Sequence, residues 1–225
     1  MKRWAILVAG LYFLILAALT VPVCRLAFPS TKFADVIEAY SAWGYWVWLL
    51  VMFLGQAALL AVPVRIASRR PIARRSLLPT ILASGLMLGV LAFGAMCALY
   101  EFAFTFESDP GVSGSWCAVG IVLLTWCLWS LIFMRQGRAC EPKDLVSRQC
   151  RSLFKGSVLE LLVAIPTHIV ARHRDQCCAG CMTFVGLVAG LSVMLFSFGP
   201  AVFFLFAARW RKLHPEGGRQ EAAGE

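Results

Sequence analysis

Apolar residues in this chain come in long unbroken runs rather than in the alternating or one-faced patterns of soluble elements. Five stretches, 4–23, 42–64, 76–100, 116–134 and 182–208, contain no Asp, Glu, Lys, Arg or His. About 20 such residues let a helix cross ~30 Å of hydrocarbon, where a helix satisfies its own backbone polar groups. The runs therefore predict five transmembrane helices. A sixth apolar segment, 157–170, is shorter, holds Glu160, and is interrupted by Pro166, which removes a helical hydrogen bond. Glu160, Ala164, His168 and Arg172 recur every four residues, so a helix here gathers polar groups on one stripe and Leu161, Leu162, Ile165 and Ile169 on another. That pattern predicts an interfacial or re-entrant helix. The expected fold is all-α, a polytopic transmembrane helical bundle of about five spans plus this one element. Its expected parts are a four-span region at 1–134, a basic Cys- and His-containing cytoplasmic-face element at 135–181, a last transmembrane helix at 182–208 and a disordered tail at 209–225.

Composition removes the soluble alternatives. Apolar residues make up 60% of the 225 positions and charged residues 15%, against ~45–50% and ~25% in soluble domains. The longest piece between runs, 135–181, is too small for a conventional soluble enzyme domain, and no catalytic motif is legible, which favours a non-enzymatic protein. Met1-Lys2-Arg3 before a long apolar core reads as an uncleaved anchor with a cytoplasmic N-terminus. Arg65, Arg69, Arg70, Arg74 and Arg75 crowd one short connection, and Glu101, Glu107 and Asp109 mark the next. By the distribution of Lys and Arg, the first is cytoplasmic and the second external. Five spans put 15 of the 21 Lys and Arg inside; six spans put 17 inside. The net charge of +9 then reflects contact with the lipid bilayer, with anionic lipids at the cytoplasmic face. Nucleic acid is excluded as a partner, because no basic groove with interleaved aromatics exists to hold it.

Inside the five runs, Gln56 is the most conspicuous polar side chain, and its simplest role is a hydrogen bond within the bundle. Carriers and pumps need ionisable groups at depth, so spans without them argue against transport. Gly85-x3-Gly89, Gly94 and Gly186-x3-Gly190 suit close helix contact, within the chain first and in a homo-oligomer or with a protein partner second.

Cysteine usage adds candidate chemistry. Cys97 and Cys117 flank the acidic connection and are candidates for a disulfide. Cys140, Cys150, Cys177, Cys178 and Cys181 fall on the expected cytoplasmic side with His168 and His173. Of these, His173, Cys177, Cys178 and Cys181 have side chains suited to zinc or another soft metal, or to thiol chemistry. A structural or acylated cluster is the competing reading, because Arg172 and Arg174 would repel a cation. Glu160, His168, Arg172, Arg174 and Asp175 form the expected polar cluster, with Glu160 pairing with Arg172 or Arg174.

The stretch 153–178, with Glu160-Leu161-Leu162-x-Ala164-x-Pro166-x-His168 and Arg172-x-Arg174-Asp175-x-Cys177-Cys178, resembles a cassette in uncharacterised bacterial integral membrane proteins. With the span that follows, the resemblance covers about a quarter of the chain. It implies a bacterial inner (plasma) membrane protein and no particular activity. The sequence thus points to a membrane protein that handles a soft metal or thiols, or alternatively to a membrane scaffold or assembly subunit.

Overall fold

The computed structural model describes residues 2–27, 40–67, 74–103, 111–174 and 179–213. These form α1 (Lys2–Ala27), α2 (Trp43–Leu59), a short α3 (Ala61–Ala67), α4 (Leu78–Ala103) after a 3-10 turn, α5 (Gly111–Ala139), α6 (Pro142–Arg172) and α7 (Cys181–Leu213). No strand occurs among the described residues. The chain is an all-α transmembrane bundle. Among the described residues, six helical segments, with α2 and α3 counted as one, are long and apolar enough to cross a bilayer.

The sixth is α6, whose sequence predicts an interfacial or re-entrant helix. It runs unbroken for 31 residues through Pro166, about 46 Å at 1.5 Å per residue. Pro166 leaves one carbonyl without its amide partner. Beside it, the Thr167 hydroxyl donates to the carbonyls of Val163 (2.8 Å) and Ala164 (3.1 Å). Pro142 opens the helix at a position where the missing N–H costs nothing. The four-residue stripe exists with its sense reversed from an interfacial helix. Gln149, Ser157, Glu160, Thr167 and His168 are buried, while Leu159, Leu162, Ile165 and Ile169 are exposed. The polar face thus turns into the protein and the apolar face turns outward to lipid.

Contacts set the directions of the helices. Phe154 meets Phe198 and His168 meets Thr183, so α6 and α7 run antiparallel. Gly94 of α4 lies beside Gly186 and Ala189 of α7, and Gly156 of α6 beside Leu88 and Leu91, so α4 is antiparallel to α7 and parallel to α6. Tyr12 reaches both Met52 and Ser192, while Thr20 meets Tyr45 and Trp4 stacks on Phe206, so α1 runs antiparallel to α2 and α7. The result is six alternating segments with Ala27, Glu101, His168 and Cys181 at one end and Leu60, Leu77, Arg138 and Trp210 at the other.

α4 is the most buried of the six, because its glycines admit neighbours closely. A Cβ on Gly85 would stand 3.2 Å from the Ser130 backbone nitrogen of α5, and one on Gly89 3.1 Å from the Val122 carbonyl oxygen. The small-residue spacing seen in the sequence therefore serves contacts within this chain. α5 packs mainly on α4, and its Trp126 indole donates to the Leu82 carbonyl at 3.0 Å. The break between α2 and α3 at Leu60 follows from Pro63, which cannot donate to the Leu59 carbonyl.

Candidate functional site: a buried carboxylate on a polar stripe

Glu160 lies inside the bundle, 3% exposed. Gly94 of α4 and Gly186 and Gly190 of α7 form a cradle around its carboxylate. A Cβ on Gly186 would stand 2.9 Å from Oε1 and one on Gly94 3.1 Å from it, while one on Gly190 would collide with Oε2. Three glycines on two helices crowd one carboxylate in this way. Neither oxygen has a hydrogen-bond partner among the described residues. The expected pair with Arg172 or Arg174 does not form. Arg172 is 12 residues further along the same helix, roughly 18 Å away, and Arg174 is committed elsewhere.

Below Glu160 on the same face come Ser157, whose hydroxyl donates to the Phe154 carbonyl at 2.9 Å, and the fully buried Gln149, whose amide has no partner among the described residues. Above it come Ala164, Thr167 and His168. From Gln149 to His168 the stripe is about 28 Å long at helical rise, close to the thickness of the hydrocarbon layer.

His168 joins three helices. Its Nε2 lies 3.1 Å from the carbonyl of Ala27, the last residue of α1, and its Nδ1 lies 2.8 Å from the Thr183 hydroxyl in the first turn of α7. A carbonyl only accepts, so Nε2 carries hydrogen. In the neutral ring Nδ1 accepts from Thr183; in the imidazolium Nδ1 donates and the Thr183 hydroxyl turns to the Gly180 carbonyl, 3.1 Å away. Both protonation states keep both contacts.

Beside it stands Glu101, which in the sequence marks the acidic connection. It is 3% exposed, and its carboxylate accepts from the backbone N–H groups of Gly180 (2.5 Å) and Thr183 (2.6 Å). Those are the donors a capping box satisfies at a helix start, here capped by a side chain from another helix, with its charge at the positive end of α7. Gly180 has φ +95°, and a Cβ there would clash with Arg172. In return, the Arg174 guanidinium donates to the carbonyls of Glu101 (2.7 Å) and Phe102 (2.8 Å) at the end of α4. Arg172 donates to the Ala179 carbonyl at 3.3 Å.

The cysteine set is divided. Cys140 and Cys150 lie toward the opposite end of α6 from Cys181, so the single cytoplasmic-side group expected for them with His173 is not assembled. Cys181 is exposed, and exposed His173 is turned to the Ile169 carbonyl through Nδ1 at 2.7 Å. Asp175, Cys177 and Cys178 lie outside the described residues, as does the tail beyond Leu213. Among the described residues no group of three or more His, Cys, Asp or Glu side chains could hold a metal. Cys97 is a buried free thiol, and the side chain of Cys117, its expected disulfide partner, lies outside the described residues. Gln56 is fully buried against Gly199, where a Cβ would overlap its amide, and that amide has no hydrogen-bond partner among the described residues.

No family model, curated protein or solved structure matches this chain.

Proposed function

We propose that this is a six-span integral membrane protein that moves protons, with Glu160 as the group that takes up and releases them. The observation that carries this reading is a partnerless carboxylate at mid-helix on a buried polar stripe that runs most of the length of α6. A carboxylate at such depth is costly and marks a functional site by default. The five apolar runs hold no ionisable group, but a bundle that includes α6 does. The glycine cradle favours a proton over a larger cation, because backbone crowds both oxygens. In the proposed step a proton from one face bonds to a carboxylate oxygen, and that O–H bond then breaks toward the other face through His168 and Thr183 or through Ser157 and Gln149.

Orientation follows from charge. With six spans and a cytoplasmic N-terminus, every Lys and Arg except Arg25, Lys32, Arg172 and Arg174 is inside, 17 of 21, as the positive-inside rule requires. The His168 end then faces the exterior of a bacterial inner membrane, and the basic face around Arg138 and Lys143 meets anionic lipids. Metal or thiol chemistry through His173, Cys177, Cys178 and Cys181 would then act on that exterior face. A scaffold role would leave the buried carboxylate without a purpose.

The test is proton flux into liposomes containing the purified protein, driven by a potassium diffusion potential and read with an entrapped pH dye. Wild type should acidify the lumen, Glu160→Gln should not, and Glu160→Asp should retain part of the flux. Equal flux in wild type and Glu160→Gln would refute the proposal.

A further inference from the structure

The outward face of α6 changes character along its length. Leu159, Leu162, Ile165 and Ile169 are exposed on it, and the same face continues toward the Arg138 end through exposed Lys155, Arg151 and Arg148. Spacings of four and three residues make these cations neighbours on one helix surface. No side chain of the three forms an ion pair or hydrogen bond among the described residues, and Asp144, one turn beyond Arg148, pairs with none of them. Their depth sets them apart from the cations at the helix ends. Phe154 of α6 meets Phe198 of α7, and Gly137 of α5 lies beside Leu145 of α6, which gives the relative heights of the three helices. Counted from those contacts at helical rise, exposed Leu131 of α5 stands level with Arg151, and exposed Leu205 of α7 lies about 10 Å beyond Phe154 toward the Arg138 end. Arg151 and Lys155 thus face outward at heights where the neighbouring helices still expose leucine.

We infer that Arg148, Arg151 and Lys155 hold the phosphate of an anionic phospholipid whose acyl chains lie along Leu159, Leu162 and Ile169. A cation that faces hydrocarbon is costly unless it reaches an interface or meets a counter-charge. A phosphate drawn onto the stripe supplies that charge. Arginine offers it paired N–H donors, and its negative charge offsets the mutual repulsion of like charges one turn apart. One molecule then satisfies both parts of the face, with its headgroup on the cations and its chains on the apolar residues. An acidic segment of a soluble protein matches the charges but leaves the apolar continuation unmatched. The inference is independent of proton movement, because these side chains are exposed on the face of α6 opposite the buried stripe that holds Glu160.

The test is native mass spectrometry of the full chain released from nanodiscs that mix phosphatidylglycerol with phosphatidylcholine, read as the lipid retained on the protein. Wild type should retain phosphatidylglycerol in preference to phosphatidylcholine. Arg151→Gln should weaken that retention about fivefold, the worth of one basic residue beside an anionic headgroup, and Arg151→Gln with Lys155→Gln about 25-fold. Arg209→Gln, which removes an exposed cation near the same end of α7, should leave it unchanged. Equal retention of the two lipids, or equal losses from Arg209→Gln and Arg151→Gln, would mean diffuse attraction to membrane charge and overturn the site. Displacement of the retained lipid by glycerol phosphate would overturn the lipid in favour of a soluble anion; persistence of the lipid supports the joint use of headgroup and chains.

Discussion

Glu160 behaves differently under substitution depending on whether it has a partner. A paired carboxylate leaves an unmet charge when neutralised, at a cost of several kcal/mol. Here neither oxygen is bonded among the described residues, so Glu160→Gln should leave the melting temperature unchanged or raise it while proton flux is lost; a fall of several degrees in a thermal melt would point to a partner. Its cradle should be far less forgiving. Gly190→Ala places a methyl group on Oε2 and should destabilise the protein by about 1–3 kcal/mol through overpacking. Gly10→Ala on α1, with open space around it, should cost nothing. Equal melting temperatures for the two alanine variants would remove the argument for a tight cradle.

Among the elements, the junction of α1, α4, α6 and α7 is built from helix ends that cap one another. Removing the Glu101 charge should loosen the start of α7. Glu101→Gln is expected to cost about 1.5–3 kcal/mol, because a charged acceptor of two N–H bonds becomes a neutral one, and to speed hydrogen exchange at Thr183 and Phe184. Unchanged exchange there would contradict the capping role. Five elements were legible in the sequence because unbroken apolar runs mean the same thing in any bundle. Glu160, Pro166 and the shortness of the apolar segment point away from a span at α6, although residues facing protein need not be apolar. The helix nevertheless continues six residues past Pro166 to Arg172, as proline-containing membrane helices can. Glu101 was missed as a site residue because it directly follows an apolar run, where a carboxylate ordinarily marks the start of a loop. The stripe itself was readable, but which way it faced was not. That depends on the glycines of α4 and α7, more than 60 and about 30 residues away.

At the scale of the whole molecule, alternation of the six described segments puts Lys2 and Leu213 on one side. Reporter fusions after Arg75, Asp109, Arg138 and Lys212 should read in, out, in and in; an external reading after Lys212 would return the chain to five spans and remove Glu160 from the membrane. The most direct measurement is infrared difference spectroscopy of the membrane-embedded protein between low and high pH, which reads the carbonyl stretch of a protonated carboxyl group. Wild type should show a carboxyl band that changes with pH, is shifted in Glu160→Asp, is absent in Glu160→Gln and persists in Glu101→Gln. An identical carboxyl band in wild type and Glu160→Gln would contradict a Glu160 carboxyl that takes up and releases protons.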